Sequence, residues 1–253
     1  SIPTIFLCGN STVVDQENEP WASWGQMLPR FLNDQISVAN HAESGLSANT
    51  FISGNRLKKI ISQMKKGDYV FVEFGHNDQK QKGAGKGAYY SFMTYLKTFI
   101  DEVQAKGGNP VLITPTRRRR FNKEGRTVNT HGEYPDAVRW IAAKENVPLI
   151  DLNNMTGTLY EALGESESKK AFVHYPMGSF SGQKKELADN THFNPYGAYQ
   201  IAKCVIEGMK KVTPELTKYL KTDISYNPSQ PDKAETFLWC PAPFCEMEKP
   251  DGN

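Results

Sequence analysis

Cysteine is scarce in this chain, with four in 253 residues. Four cannot build a disulfide framework around a chain of this size. None is needed, because such a length buries roughly three quarters of the surface its unfolded form exposes. Long apolar runs are missing too. None approaches the roughly 20 residues that a bilayer-spanning helix requires. Net charge is nearly absent at +2, which supplies no global field and no electrostatic footprint for nucleic acid. The sequence has no H-E-x-x-H pair and no G-x-S-x-G elbow, since "GSFSG" at 178–182 carries Phe180 at its centre. "GAGKGA" at 83–88 lacks the Walker spacing and follows no strand, so it reads as a surface loop. Cys8 and Cys204 fall in apolar patterns and read as buried thiols. Cys240 and Cys245 flank "PAPF"; this spacing matches no common zinc pattern, and a disulfide between them stays open.

What is present is globular composition, with 38% hydrophobic and 23% charged residues. Short apolar runs rich in β-branched and aromatic residues stand at 3–8, 36–39, 68–74, 110–114 and 147–150, and each reads as a buried strand. Helical spacing lies between them. Leu57, Ile60, Ile61 and Met64 form one stripe, ending at Gly67. Phe92, Leu96, Phe99 and Val103 form another, ending at Gly107, and 134–146 is a third. The last helix runs over 194–212, with Asn194 as N-cap, Pro195 at its first position, and Ala198, Ile201, Ala202, Val205 and Met209 facing inward. This alternation predicts an α/β fold, a parallel sheet covered on both sides. Residues 1–221 read as one domain. Residues 222–253, rich in proline and aperiodic, read as an extended tail over it, with an edge strand at "ETFLW".

In such sheets, function gathers at the carboxyl ends of the strands. The first strand ends in Gly9-Asn10-Ser11, the second is followed by Asn40 to Gly45, and the third ends in Gly75-His76-Asn77-Asp78. A serine hydroxyl needs an imidazole to take its proton, a carboxylate to orient that imidazole, and donors for the oxyanion. "DNTHF", ahead of the last helix, supplies Asp189 and His192; in a loop, that spacing lets the carboxylate reach back to the ring. Taken alone, an Asp-x-x-His is as readily a turn or a cap.

The set is more specific than its parts. "FLCGNSTV", "NHAESG", "FGHND" and "DNTHF", with "WASWGQMLPRF", "DYVFVEFGHND", "VLITPTRRRRF", "THGEYPDAVR" and "VPLIDLN", resemble the SGNH or GDSL hydrolases, and more closely their rhamnogalacturonan acetylesterase branch. The resemblance runs from about Pro3 to Val212. It implies a flavodoxin-like three-layer α/β/α sandwich on a five-stranded parallel sheet. It implies Ser11 as nucleophile, His192 as general base and later acid, and Asp189 as the residue orienting His192. The oxyanion donors would be the backbone N–H groups of Ser11 and Gly45 and the side-chain amide of Asn77. These residue types suit an oxyanion hole, since Gly45 leaves the carbonyl's approach clear and Asn77 offers an uncharged N–H. One position departs from the pattern. Asn10 stands where the family usually has aspartate; it keeps an acceptor for bracing the loop and removes a charge, which suits a polyanionic substrate.

The resemblance further implies ester removal from an acidic plant cell-wall polysaccharide, O-acetyl groups of rhamnogalacturonan first. Methyl esters of galacturonate are the alternative, and a catalytically silent carbohydrate-binding protein is the alternative from another class. No metal and no cofactor are implied, nor any nucleic-acid or membrane partner, and the chain is expected to act as a monomer. No leader is legible ahead of the first strand; an extracellular or periplasmic location follows only from the polymeric substrate. Arg117 and Arg118, in the run Arg117–Arg120, and His131 are the candidate substrate contacts, because guanidinium grips carboxylate bidentately. Trp21, Trp24 and Trp140 read mainly as packing residues, and His76 as a prop for its loop.

Overall fold

A computed structural model of the chain describes residues 1–239. Five parallel strands form the central sheet: β1 (Thr4–Cys8), β2 (Ser37–Asn40), β3 (Tyr69–Glu73), β4 (Asn109–Ile113) and β5 (Leu149–Ile150), in the order β2-β1-β3-β4-β5. Alternation along each strand divides the core in two. Ile5, Leu7, Tyr69, Phe71, Val111 and Ile113 face one cluster, while Phe6, Cys8, Val70, Val72 and Leu112 face the other. The first face is covered by α1 (Trp24–Met27), α6 (Leu152–Leu163) and α7 (Pro195–Val212). The second is covered by α2 (Ala48–Ser53), α3 (Arg56–Gln63), α4 (Met93–Ala105) and α5 (Tyr134–Lys144). Both faces are therefore dry, which is why the strands read as continuous apolar runs. The expected three-layer sandwich is the architecture observed.

The helices carry the stripes expected of them, with altered ends. The stripe around Leu57 and Ile60 belongs to α3, which stops at Gln63 rather than Gly67. A turn of π-helix over Ala88–Phe92 leads into α4. Asn194 caps α7 by accepting from the Gly197 N–H. Helix α6, capped by Asp151, is an element the apolar pattern did not announce. A second, two-stranded sheet pairs β6 (Phe172–Tyr175) with β7 (Leu187–Phe193), antiparallel. "DNTHF" thus lies within strand β7, where a loop was expected.

The segment after α7 crosses that helix. Tyr226 is buried and donates to Gln200 Oε1 at 2.7 Å, and Asp232 Oδ2 accepts from Lys203 Nζ at 2.7 Å and Gln200 Nε2 at 2.9 Å. The expected edge strand at "ETFLW" is not formed. Ala234–Thr236 makes a 3-10 turn, and Phe237 turns its ring onto Tyr196 and Tyr199 instead of pairing. Cys8 and Cys204 are buried free thiols, as expected; Cys240 and Cys245 lie outside the described residues. Among the described residues no helix is long and apolar enough to cross a membrane.

Candidate active site

Strand β1 ends at a turn in which the Asn10 carbonyl accepts from both Val13 and Val14 N–H. The turn is tight enough to demand Gly9: a Cβ there would stand 2.5 Å from Val13 Cγ2 and 3.1 Å from the Glu73 carbonyl oxygen. Ser11 rides on this turn, 1% exposed, with Oγ 2.7 Å from His192 Nε2. His192 Nδ1 donates to Asp189 Oδ2 at 2.8 Å. Asp189 Oδ1 accepts from the backbone N–H of Thr191 at 2.9 Å and of His192 at 3.0 Å. Burial works against the Asp189 charge. The His192 ring and the two backbone N–H groups outweigh it and hold the carboxyl well below its usual range. An ionised Asp189 accepts only, so it takes the Nδ1–H and leaves Nε2 to receive the Ser11 proton.

A bulge makes the reach-back from Asp189 to His192 possible. Phe172 pairs with Phe193, yet the next residue, Val173, pairs with Asp189. Residues 190–192 are looped out between them, and His192 is swung toward Ser11 while Asp189 stays in the ladder. Arg119 braces this loop. Its backbone N–H donates to the Asn190 carbonyl at 2.8 Å, and Nη1 donates to Asn190 Oδ1 at 3.2 Å. Its other donors hold Ser168 Oγ and the Glu165 carbonyl. His174 Nε2 meets the same Asn190 Oδ1 at 2.6 Å.

The loops after β2 and β3 meet beside Ser11. The Glu43 N–H donates to the Gly9 carbonyl at 3.2 Å, and Asn77 Nδ2 donates to the Leu46 carbonyl at 2.9 Å. Lys80 Nζ donates to Asn77 Oδ1 at 2.7 Å, which fixes the amide orientation and leaves the second Nδ2 hydrogen available. Gly45 adopts φ 83°, a left-handed conformation that favours glycine. Asp78 ties the two loops, accepting from Gly75 N–H at 2.9 Å and Ala48 N–H at 2.8 Å. Burial pushes Asp78 up to about 7, against those donors and Lys80.

The other candidate contacts are less free than their positions suggested. His131 is 1% exposed, with Nε2 2.9 Å from the Thr116 carbonyl and Nδ1 2.9 Å from Gln79 Oε1. Both ring nitrogens are engaged inside the protein, which is the structural hydrogen bonding that stood beside the expected substrate contact for His131. Arg117 is bound to Thr127 and Asn153, and Arg118 to Thr130 Oγ1 at 2.9 Å. His76 props its loop by edge-on packing against His131, 4.5 Å between centroids. Trp24 and Trp21 are buried and Trp140 is half exposed. The Trp24 indole donates to Glu73 at 3.0 Å, and Trp21 approaches Asp189 at 3.5 Å.

Sequence reasoning missed Glu73 and Lys80, and placed Asp78 and Arg119 at the functional edge without giving either a role. A charged residue inside the apolar run "DYVFVEF" was the visible signal for Glu73. Arg119 had none beyond its place in a basic run.

Residues 7–199 match the GDSL-like Lipase/Acylhydrolase family. The chain is 40% identical over 218 residues to rhamnogalacturonan acetylesterase RhgT of Bacillus subtilis, covering 85% of this chain and 93% of that one. It is 24% identical over 229 residues to the rhamnogalacturonan acetylesterase of Emericella nidulans, covering 81% and 84%. The crystal structure of the YxiM protein from Bacillus subtilis superposes with a TM-score of 0.72 at 28% identity, over 83% of this chain and 57% of that one. The chain belongs to the GDSL-like lipase/acylhydrolase family.

Proposed function

We propose that the protein is a serine esterase that removes O-acetyl groups from rhamnogalacturonan. The observation that carries the chemistry is the buried relay from Ser11 Oγ to His192 at 2.7 Å and from His192 to Asp189 at 2.8 Å. Ser11 attacks the acetyl carbonyl and its proton passes to His192 Nε2; the resulting imidazolium faces the ionised Asp189. The tetrahedral oxyanion is received by the Ser11 and Gly45 N–H groups and by the second hydrogen of Asn77 Nδ2. Neither of those backbone N–H groups donates within the described residues. Collapse expels the sugar hydroxyl, protonated by His192. Water, activated by the same ring, then releases acetate and restores Ser11.

The polymer is supported by the name of the 40% identical relative, which acts on rhamnogalacturonan. Arg118, half-buried beside the site's loops, is the side chain we assign to a substrate carboxylate, and the described part of the expected tail, residues 222–239, packs on α7 of the domain of residues 1–221. Pectin carrying both acetyl and methyl esters separates the alternatives in one tube, beside a Ser11→Ala control. Acetate release that the control lowers by at least about 1,000-fold is the expected result. Methanol without acetate would transfer the reading to a methylesterase. Neither product above the control would leave a silent binding protein.

A further inference from the structure

Glu73 closes β3 fully buried, beneath the turn that carries Ser11. Its partners settle its proton. Oε2 lies 3.0 Å from Trp24 Nε1, a group that can only donate. Oε1 lies 2.5 Å from Thr12 Oγ1, and that hydroxyl also lies 2.9 Å from Asn10 Oδ1. The Asn10 atom is oxygen, because it accepts the Thr12 backbone N–H at 3.0 Å. A threonine hydroxyl has one proton, and here it faces two oxygens. With Glu73 as carboxylate, one of the two short O···O contacts sets lone pair against lone pair. With Glu73 as carboxylic acid, both contacts are hydrogen bonds. We propose that Glu73 is a positioning residue acting in its protonated form: it donates to Thr12, Thr12 donates to Asn10, and this relay holds the turn from which Ser11 reaches His192.

The surroundings agree. Burial raises Glu73 from 4.5 to about 7, outweighing the Thr12 and Trp24 hydrogen bonds, and no cation acts on it. On the same face, α6 contributes Tyr160, which senses the Glu73 charge, and α7 contributes Cys204. Burial pushes both up and keeps them neutral. Arg117 acts on Tyr160 and is held by Thr127 and Asn153. From α1 only the Trp24 indole faces the carboxyl. Asn10 fits this arrangement. An aspartate there would put a second carboxylate one hydroxyl away from Glu73, both of them out of water.

The inference rests on Ser11 as the nucleophile, and its test separates the two ideas. We would measure kcat and KM for the wild type, Glu73→Gln and Thr12→Val from about pH 5 to about pH 9. Wild-type kcat should decline on the alkaline side as Glu73 ionises. Glu73→Gln offers an amide donor to Thr12 at every pH and still accepts from Trp24. It should keep kcat at pH 6 within about threefold and move the alkaline limb up by about one unit or more, at unchanged KM. Thr12→Val cuts the relay, and should lower kcat at pH 6 about tenfold and remove the Glu73-dependent limb. A purely structural Glu73 would change melting temperature and leave the pH profile alone. An alkaline limb in Glu73→Gln identical to the wild type's overturns the proposal. If that variant does not fold, an unchanged limb in Thr12→Val does so. Infrared difference spectra at pH 6 provide a readout independent of turnover. The carbonyl band of a protonated carboxyl must appear in the wild-type-minus-Glu73→Gln difference, where the contribution of buried Asp78 cancels, and its absence there rejects the idea. Labelling of Ser11 by a serine-directed phosphonate tests the nucleophile separately. Labelling with an unmoved limb keeps the esterase and discards the relay; no labelling discards the nucleophile while the infrared band still reports on Glu73.

Discussion

Asn10 is the residue where an expectation from charge gave way to one from burial. Its neutrality suggested accommodation of a polyanion, yet the side chain is fully buried and its oxygen is occupied by Thr12, so the charge it lacks would have faced Glu73 rather than substrate. Asn77 is the opposite case, a residue whose chemistry was legible and whose setting was not. Lys80 grips its oxygen and the Leu46 carbonyl takes one of its hydrogens, so the remaining N–H is presented without reorganisation. Such a preset donor acts mainly on the transition state. Asn77→Ala is expected to lower kcat by about 100- to 1,000-fold with little change in KM on an acetylated substrate. Steady-state kinetics at one pH checks this, and a loss confined to KM would assign Asn77 to substrate binding instead.

At the scale of elements, the β6–β7 pair matters most. A plain antiparallel ladder would set successive side chains on opposite faces. The looped-out residues 190–192 break that alternation and let Asp189 and His192 meet. Such a bulge has few ladder bonds of its own, so an outside brace matters, and Arg119 is that brace through Asn190. Arg119→Met keeps much of the side chain's bulk and the backbone N–H to Asn190, and removes the guanidinium donors. We expect kcat to fall by about 10- to 100-fold, since small misplacements of a base are costly, with KM nearly unchanged. Retention of full kcat would show that backbone hydrogen bonds, the Arg119 N–H to Asn190 among them, suffice to hold the bulge. The basic run therefore divides by residue: Arg117 reaches Asn153 and Thr127, Arg118 reaches Thr130, Arg119 reaches Ser168 and Asn190, and Arg120 is exposed. No spacing rule could have made that division, because each side chain's partner comes from a different distant segment.

For the whole molecule, buried carboxyls shape stability against pH. Glu73 is raised from 4.5 to about 7, so the folded state holds a proton that the unfolded state has released. Its contribution is full below pH 4.5 and is lost as pH rises through about 7, on the order of 3 kcal/mol across that window. Asp78 acts in the same direction. Asp189 has the opposite sign: lowered from 3.8, it stabilises above that value and its contribution is lost as the solution is acidified further. The melting temperature is therefore expected to peak near pH 5 and to decline toward pH 8, with a shallower decline in Glu73→Gln; a flat profile over that range would count against a buried, protonated Glu73. The alternation of apolar strands and amphipathic helices, the tips of β1 and β3, and the N-cap of α7 were all legible in the chain, because hydrophobic period and capping are local properties. So was the contact of Ser11, His192 and Asp189, through the motif blocks. Helix α6, the β6–β7 bulge and the turn at "ETFLW" were not, since pairing register and docking depend on segments far away in sequence. The amino-acid order by itself thus determined the layers and the chemical groups at the sheet's carboxyl edge. Only the tertiary structure decided which arginine braces the β6–β7 bulge, that His131 is interior, and that Glu73 and Asn10 both face the Thr12 hydroxyl, because each depends on a donor and an acceptor brought together from distant parts of the chain.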